Sequence, residues 1–217
     1  MLFPSLFVLR DPDPHSGPFN MAMDEVLLQQ ANAPLLRIYR WQAPSISFGY
    51  FGKFTDVQAT ARGREAVRRW TGGGIVEHGA DLTYTLIVPR AAPFFGFHTL
   101  ESYRLIHEHI ARWLTTRGIV SQVAPQSAEV PSSACFTTHV RYDLVDRSTK
   151  IAGAAQRRTR WGLLHQGSVQ SPLADHAGFA ETFAQQIATL PVTNELAQAA
   201  EHLAAQKYAT ADWLEKF

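Results

Sequence analysis

The feature that constrains this chain most is a run of three glycines, Gly72-Gly73-Gly74, set between two extended stretches. Ala66-Val-Arg-Arg-Trp70 leads into it, and Asp81-Leu-Thr-Tyr-Thr-Leu-Ile-Val88 follows with clean alternation until Pro89 stops it. Glycines reach backbone conformations closed to other residues and carry no Cβ, so a ligand can approach the main chain closely. A tight turn or a bulge is one use of such a run. Exposed N–H groups with Arg68 and Arg69 just upstream equally suit phosphate or carboxylate oxygens. The run has neither the dinucleotide fingerprint nor the Walker A spacing, so those nucleotide folds lose support.

Around that break the pattern predicts strands in the middle and helices at the end. Leu6–Arg10 reads as a short strand ended by a turn at Asp11-Pro-Asp-Pro14. Phe19–Ala31 has the helical period, with Asn20 in the cap position. Leu36–Trp41 alternates as a half-buried strand, and Pro44–Gly49 follows as another. The strongest helix is Thr99–Arg117, with Leu100, Tyr103, Ile106, Ile110, Trp113 and Leu114 on one side and Gly118 as its stop. Short strands are expected near 119–123, 142–146, 150–152, 155–158 and 162–165. The Ala-rich C-terminal part reads as helical, broken at Pro191. This order predicts an α+β fold, a mixed β-sheet flanked by helices, in one domain over residues 1–217.

Composition narrows the function classes. With 46% hydrophobic residues the chain can bury a core, which excludes global disorder. Twenty basic against 19 acidic side chains give a formal charge of +1, which argues against nucleic-acid or polybasic membrane partners. The single Cys135 excludes an intrachain disulfide framework and a Cys-rich zinc site. No run reaches the ~20 apolar residues of a membrane span. The start lacks the charge and cleavage pattern of a signal peptide, so a cytoplasmic protein is expected.

Three kinds of residue could carry chemistry. Lys150 is one of four lysines and sits among small residues in Thr149-Lys-Ile-Ala-Gly-Ala-Ala-Gln156. An ammonium there can donate to a carbonyl or phosphate oxygen, while a lysine snorkelling from a strand end is the plainer reading. Cys135, in Pro131-Ser-Ser-Ala-Cys-Phe136, is either an inert hydrophobe or, beside a cation, a thiolate nucleophile. Nine histidines raise the question of a metal. His107 and His109 lie two apart on a helix and cannot share a ligand. His78, between Glu77 and Asp81, lacks a second ligand cluster, so no metal is expected.

Taken together, four segments resemble the lipoate–protein ligase and octanoyltransferase family. They are Asn20-Met-Ala-Met-Asp-Glu25, Leu36–Trp41 with Pro44 and Ser47-Phe-Gly49, Arg68–His78 running into Asp81-Leu-Thr-Tyr84, and Lys150-Ile-Ala-Gly-Ala-Ala-Gln156. They fall in the family's order across about residues 5–170. The resemblance implies a catalytic domain related to biotin ligases and class II synthetases, one that attaches lipoyl or octanoyl groups to a lysine of a lipoyl carrier domain. By position, Arg69, Thr71, Gly72, Gly73, Gly74, Ile75, Val76, Glu77, His78, Gly153 and Ala154 would line the acyl or acyl-adenylate site. Lys150 would hold the acyl carbonyl or phosphate oxygen.

Two chemistries share this resemblance. A transferase takes octanoate from acyl carrier protein through a cysteine thioester and needs no cofactor. Cys135, upstream of Tyr142-Asp-Leu-Val145, resembles the nucleophile of one transferase branch. The other branch's cysteine before a His-Gly pair has no counterpart in Gly162–Gly167. A ligase instead activates lipoate with ATP and magnesium, and Thr71-Gly-Gly-Gly74 is closer to that form. Acceptors in either case would be lipoyl domains such as those of glycine cleavage H protein or a 2-oxoacid dehydrogenase E2. The short stretch after Ser168 reads as closing helices without a separate accessory domain, which favours transfer, or a ligase completed by a second polypeptide. Gly52 and Gln166 depart from the family pattern, which usually has glutamine and histidine there. Gln166 is also the one feature that fits a non-catalytic acyl-binding protein.

Overall fold

The computed structural model describes residues 1–128, 139–147, 149–170 and 176–217. Cys135 lies outside the described residues. Strand β1 (Phe3–His15) is longer than its apolar core suggests. A register shift between Arg10 and Pro14 absorbs the Asp-Pro-Asp-Pro segment, so the expected turn is a bulge and pairing with the next strand resumes at Pro14. Helix α1 (Gly17–Gln30) is capped one turn earlier than expected. Ser16 accepts the Phe19 N–H, with Pro18 in the first turn, which frees Asn20 for a buried role.

Strands β2 (Leu35–Trp41), β3 (Ser45–Phe48), β4 (Glu65–Arg68), β5 (Val76–His78) and β6 (Leu82–Pro89) follow, with helix α2 (Phe54–Ala61) between β3 and β4. That helix carries no periodic signal strong enough to predict it. Helix α3 (Thr99–Thr116) buries Tyr103, Ile106, Ile110, Trp113 and Leu114, and Gly118 follows it at φ 75°. Leu100 belongs to its other face and is 57% exposed. Next come β7 (Gln122–Val123), β8 (Leu144–Asp146), β9 (Thr149–Arg158), β10 (Gly162–Val169) and β11 (Ala184–Leu190). The two short strands expected within 150–158 are one strand, bent by a bulge. Pro191 ends a strand and not a helix: β11 lies parallel to β1, and helices α4 (Asn194–Leu203) and α5 (Ala211–Leu214) come after it.

Among the described residues eight strands form one mixed sheet, in the order β11-β1-β2-β6-β10-β9-β8-β7. Its central strands β6 and β10 are buried along their whole length, because helices cover both faces. On one face α3 packs Ile106, Ile110 and Trp113 against Leu86, Val88 and Leu163. On the other, α1 and the C-terminal helices pack Met23, Leu27, Tyr208 and Trp213 with Leu35 and Ile87. A smaller sheet, β4-β3-β5, is backed by α2 through Ile46, Phe48, Val57 and Ile75. Arg68 is fully buried and fastens this sheet to the C-terminal segment, donating to the carbonyls of Tyr50, Gly52, Trp213 and Leu214. None of the described helices is long and apolar enough to cross a membrane.

Candidate active site

A cleft with about 440 Å³ of empty space, part of it open to solvent, lies between the small sheet and the β9–β10 face of the large one. Its cation is Lys150. Opposite Val145 the strand β9 carries an extra residue, so Val145 pairs with Lys150 while Leu144 pairs with Ala152. A bulge of this kind reverses the in–out alternation beyond it and puts Lys150 on the same face as Gly153. The side chain then folds over the bare Cα of Gly153, where an added Cβ would overlap Lys150 Cε and Nζ. Lys150 does not snorkel: its side chain is 4% exposed and its Nζ lies 2.7 Å from Asp143 Oδ2. Asp143 is itself fixed by the Val140 N–H at 2.7 Å and the Tyr103 hydroxyl at 2.5 Å. Tyr103 also accepts the Ala154 N–H, so one hydroxyl couples the carboxylate to the lysine strand.

The glycine run forms the facing wall. Gly73 has φ 90°, which an L side chain rarely adopts. Gly49 passes so close beneath it that a Cβ on Gly49 would collide with the Gly73 carbonyl oxygen. Arg69 locks the loop from inside, donating to the carbonyls of Gly72 and Gly74 at 2.9 and 3.0 Å. Thr71 donates to Gln166 Oε1 at 2.7 Å, and Gln166 Nε2 reaches Asp24 Oδ2 at 2.8 Å and Met21 Sδ at 3.4 Å. Gln166 thus stitches the loop to α1 across the cleft floor. An apolar flank of Met21, Tyr39, Trp41 and Val76 completes the cleft.

A polar relay closes the far side. Ser47 on β3 and His78 on β5 are diagonal neighbours in the small sheet, with Ser47 Oγ 2.6 Å from His78 Nε2. His78 Nδ1 lies 2.9 Å from Asp81 Oδ2, and Trp41 stacks on the imidazole at 4.0 Å. Asp81 also accepts from Ser168 at 2.6 Å and Thr83 at 2.8 Å. Burial pushes His78 below the ordinary imidazole value against the pull of Asp81. Burial acts on Asp81 in the opposite sense, but the hydrogen bonds from His78, Ser168 and Thr83 outweigh it and hold that carboxyl below its ordinary value.

Behind Lys150 sits a pair of buried imidazoles. His107 faces the Tyr142 carbonyl at 2.6 Å and is pushed down to about 4, chiefly by burial. His165, between Tyr84 and Gln156, is held well below its ordinary value, again by burial first and by His107 second. Both are neutral in the folded protein and titrate near 6.5 once unfolded. Protonation on acidification therefore favours the unfolded chain. Stability is full above about pH 6.5 and falls by about 1.4 kcal/mol per pH unit per histidine below it. For His107 the loss levels off near pH 4. Melting temperatures are expected to drop steadily from pH 6.5 to pH 4.5, and His107→Gln is expected to flatten that slope. A melting temperature unchanged between pH 7 and pH 5 would show that these imidazoles are protonated in the fold.

The structure brings together Lys150, Arg69, Val76, His78, Gly153 and Ala154 in the cleft. Gly72 and Gly73 line an adjoining groove that shares Ala154 and Ala155 with it. Thr71 and Gly74 contribute through the Gln166 and Arg69 contacts. Two expected lining residues turn away: Ile75 packs into the small sheet's own core, and Glu77 is exposed, paired with Arg64 at 3.0 Å. Along β5 the side chains alternate, so Val76 and Glu77 cannot both face the ligand. Sequence reasoning missed Ser47, Asp143 and Tyr103 as site residues. No group of three or more His, Cys, Asp or Glu that could hold a metal ion occurs among the described residues.

Comparison with known proteins points to one family. The lipoyl protein ligase A/B catalytic-domain family matches residues 16–188. The octanoyltransferase LipM of Kyrpidia tusciae is 38% identical over 180 residues, covering 76% of this chain and 66% of that protein. The octanoyltransferase LipM of Carboxydothermus hydrogenoformans is 37% identical over 163 residues, covering 71% and 61%. The chain thus spans less than two thirds of the length of these curated relatives. A candidate lipoate protein ligase from T. acidophilum, solved with bound lipoic acid, shares the fold at a TM-score of 0.77 and 20% identity over 98% of each chain.

Proposed function

The chain belongs to the lipoyl protein ligase A/B catalytic-domain family, and we propose that it is an octanoyltransferase of protein lipoylation. It takes an octanoyl group from a thioester donor, acyl carrier protein, and passes it to a lysine of a lipoyl carrier domain. The observation that carries the reading is the buried Lys150–Asp143 pair set over Gly153 in an apolar-flanked cleft. An ammonium so fixed is aimed at a developing oxyanion and needs no reorganisation when charge appears. The relatives at 37–38% identity are octanoyltransferases, which favours transfer over ATP-driven ligation.

In this reading Cys135 is the acyl acceptor. Ser127 and Val140, on either side of the segment that carries it, line the groove beside Gly72, Gly73 and Ala154. The thiolate attacks the donor thioester carbon, a new C–S bond forms, the C–S bond to the carrier breaks, and the carrier leaves as a thiolate that takes a proton from solvent. The target lysine amine then attacks the Cys135 thioester, an amide forms and the thiol is regenerated. Lys150 stabilises the oxyanion in both steps.

Mass spectrometry tests this directly. Octanoyl-loaded acyl carrier protein, supplied without ATP, is expected to add one octanoyl mass at Cys135, and neutral hydroxylamine is expected to remove it. Cys135→Ala is expected to abolish that adduct. A protein that takes up no acyl mass but forms lipoyl-adenylate when given ATP and magnesium is a ligase, and the transferase reading fails.

A further inference from the structure

The transfer chemistry leaves one constellation in the cleft without a task. Ser47, His78 and Asp81 stand in a relay, with 2.6 Å between Ser47 Oγ and His78 Nε2 and 2.9 Å between His78 Nδ1 and Asp81 Oδ2. We propose that Ser47 is a second acyl acceptor, an O-acyl-serine site that hydrolyses medium-chain acyl thioesters to the free acid. This rests on the reading of the cleft as an acyl site, but not on Cys135.

Three observations support the assignment. The first is proton placement. The Arg69 guanidinium donates to Ser47 Oγ at 2.8 Å, so the serine proton is left to point at His78 Nε2. Asp81 accepts a hydrogen bond from Nδ1–H, which fixes the tautomer whose Nε2 is free to accept from Ser47. The second is the state of the imidazole, which burial keeps neutral and hence able to accept a proton. The third is placement: Ser47, though itself buried, lines one cleft with His78 and Lys150, and Ser168, whose hydroxyl holds Asp81, is paired in the sheet with Gly153 beneath the lysine. A relay needed only to fix a strand pair has no reason to end on a cation-flanked hydroxyl in the cleft.

The chemistry balances without any further reagent than water. Ser47 Oγ attacks the thioester carbonyl carbon while its proton moves to His78 Nε2. The C–O bond forms, the C–S bond breaks, and His78 returns the proton to the departing thiolate. Water then attacks the serine ester, giving a proton to Nε2. The ester C–O bond breaks, Oγ is reprotonated, and the fatty acid leaves. Arg69 is the cation beside the alkoxide and Lys150 the one that faces the carbonyl oxygen.

An alkyl fluorophosphonate, which reacts with activated serines, is the probe. Peptide mapping of the labelled wild-type protein is expected to place the phosphonyl mass on Ser47, within Trp41–Lys53. His78→Gln is expected to slow that labelling at least about 10²-fold, the scale of losing a general base. Octanoyl thioester is expected to leave an ester on the same peptide that survives neutral hydroxylamine. The peptide carrying Cys135 is a different one, so a missing Cys135 adduct with Ser47 labelled sinks the transfer route alone. No phosphonyl mass on Ser47, or labelling equally fast in His78→Gln, overturns the proposal.

Discussion

Lys150→Ala is expected to lower octanoyl transfer on the order of 10²–10³-fold, the cost of removing one preorganised oxyanion donor. The lysine is held at three points: the bulge in β9, the void over Gly153 and the Asp143 carboxylate. Removing it also leaves Asp143 buried without its cation, supported by Tyr103 and the Val140 N–H. Some stability is therefore lost along with activity, and a fall in activity alone would be ambiguous. Gly153→Ala separates the two effects. A methyl there overlaps the flexible end of Lys150 and comes within 3.2 Å of Asp143 Oδ1, so the ammonium is displaced while both charges and the fold are kept. A fall in kcat at an unchanged melting temperature is the expected result. Lys150→Arg is expected not to restore the rate, because a planar fork is broader than the slot over Gly153. Near-wild-type kcat in both Lys150→Ala and Gly153→Ala would mean that the oxyanion is stabilised elsewhere.

The parts of this site that could be read from the sequence are those whose signal is local. The stop at Pro89, the αL glycine after α3 and the glycine run each report a backbone constraint at one place in the chain. Lys150 stood out because lysines are few and its neighbours are small. What could not be read depends on strand register. Ser47 and His78 meet only because β3 and β5 pair antiparallel with Ser47 opposite Val76, and no spacing along the chain encodes that. The bulge that turns Lys150 toward Gly153 is likewise a property of the β8–β9 pairing. Ala184–Leu190 lies in the Ala-rich C-terminal part that reads as helical, because alanine and glutamine favour helix locally. The hydrogen bonds offered by the edge of β1 override that preference. Asn20 resembled a cap because capping is the usual local use of asparagine. Its actual partners include Arg37 and the Arg40 carbonyl, far along the chain on β2.

Those partners lead to the largest expected effect on stability. Arg37 is fully buried in the middle of β2, and its guanidinium donates to Asp24 at 2.9 Å, Asp11 at 3.0 Å and the Asn20 side chain at 2.7 Å. Asp24 in turn accepts from Thr85 and from Gln166, the latter at the cleft floor. Asp24→Ala removes one of two counter-charges from a cation that water cannot reach and strands three further donors, Thr85, Gln166 and Tyr39. The expected cost is about 3–5 kcal/mol, the range for breaking a buried ion pair from one side. In a chain of this length that lowers the melting temperature by roughly 10 °C. The size of the loss comes from the orphaned partner more than from the lost attraction, and a double-mutant cycle exposes this. Asp24→Leu and Arg37→Met made together are expected to cost less than the sum of the two single changes, because neither charge is then left alone. Strict additivity would mean that Arg37 is satisfied by Asp11 and Asn20 without Asp24. In that case the acidic residue of α1 serves the cleft, through Gln166, and not the fold.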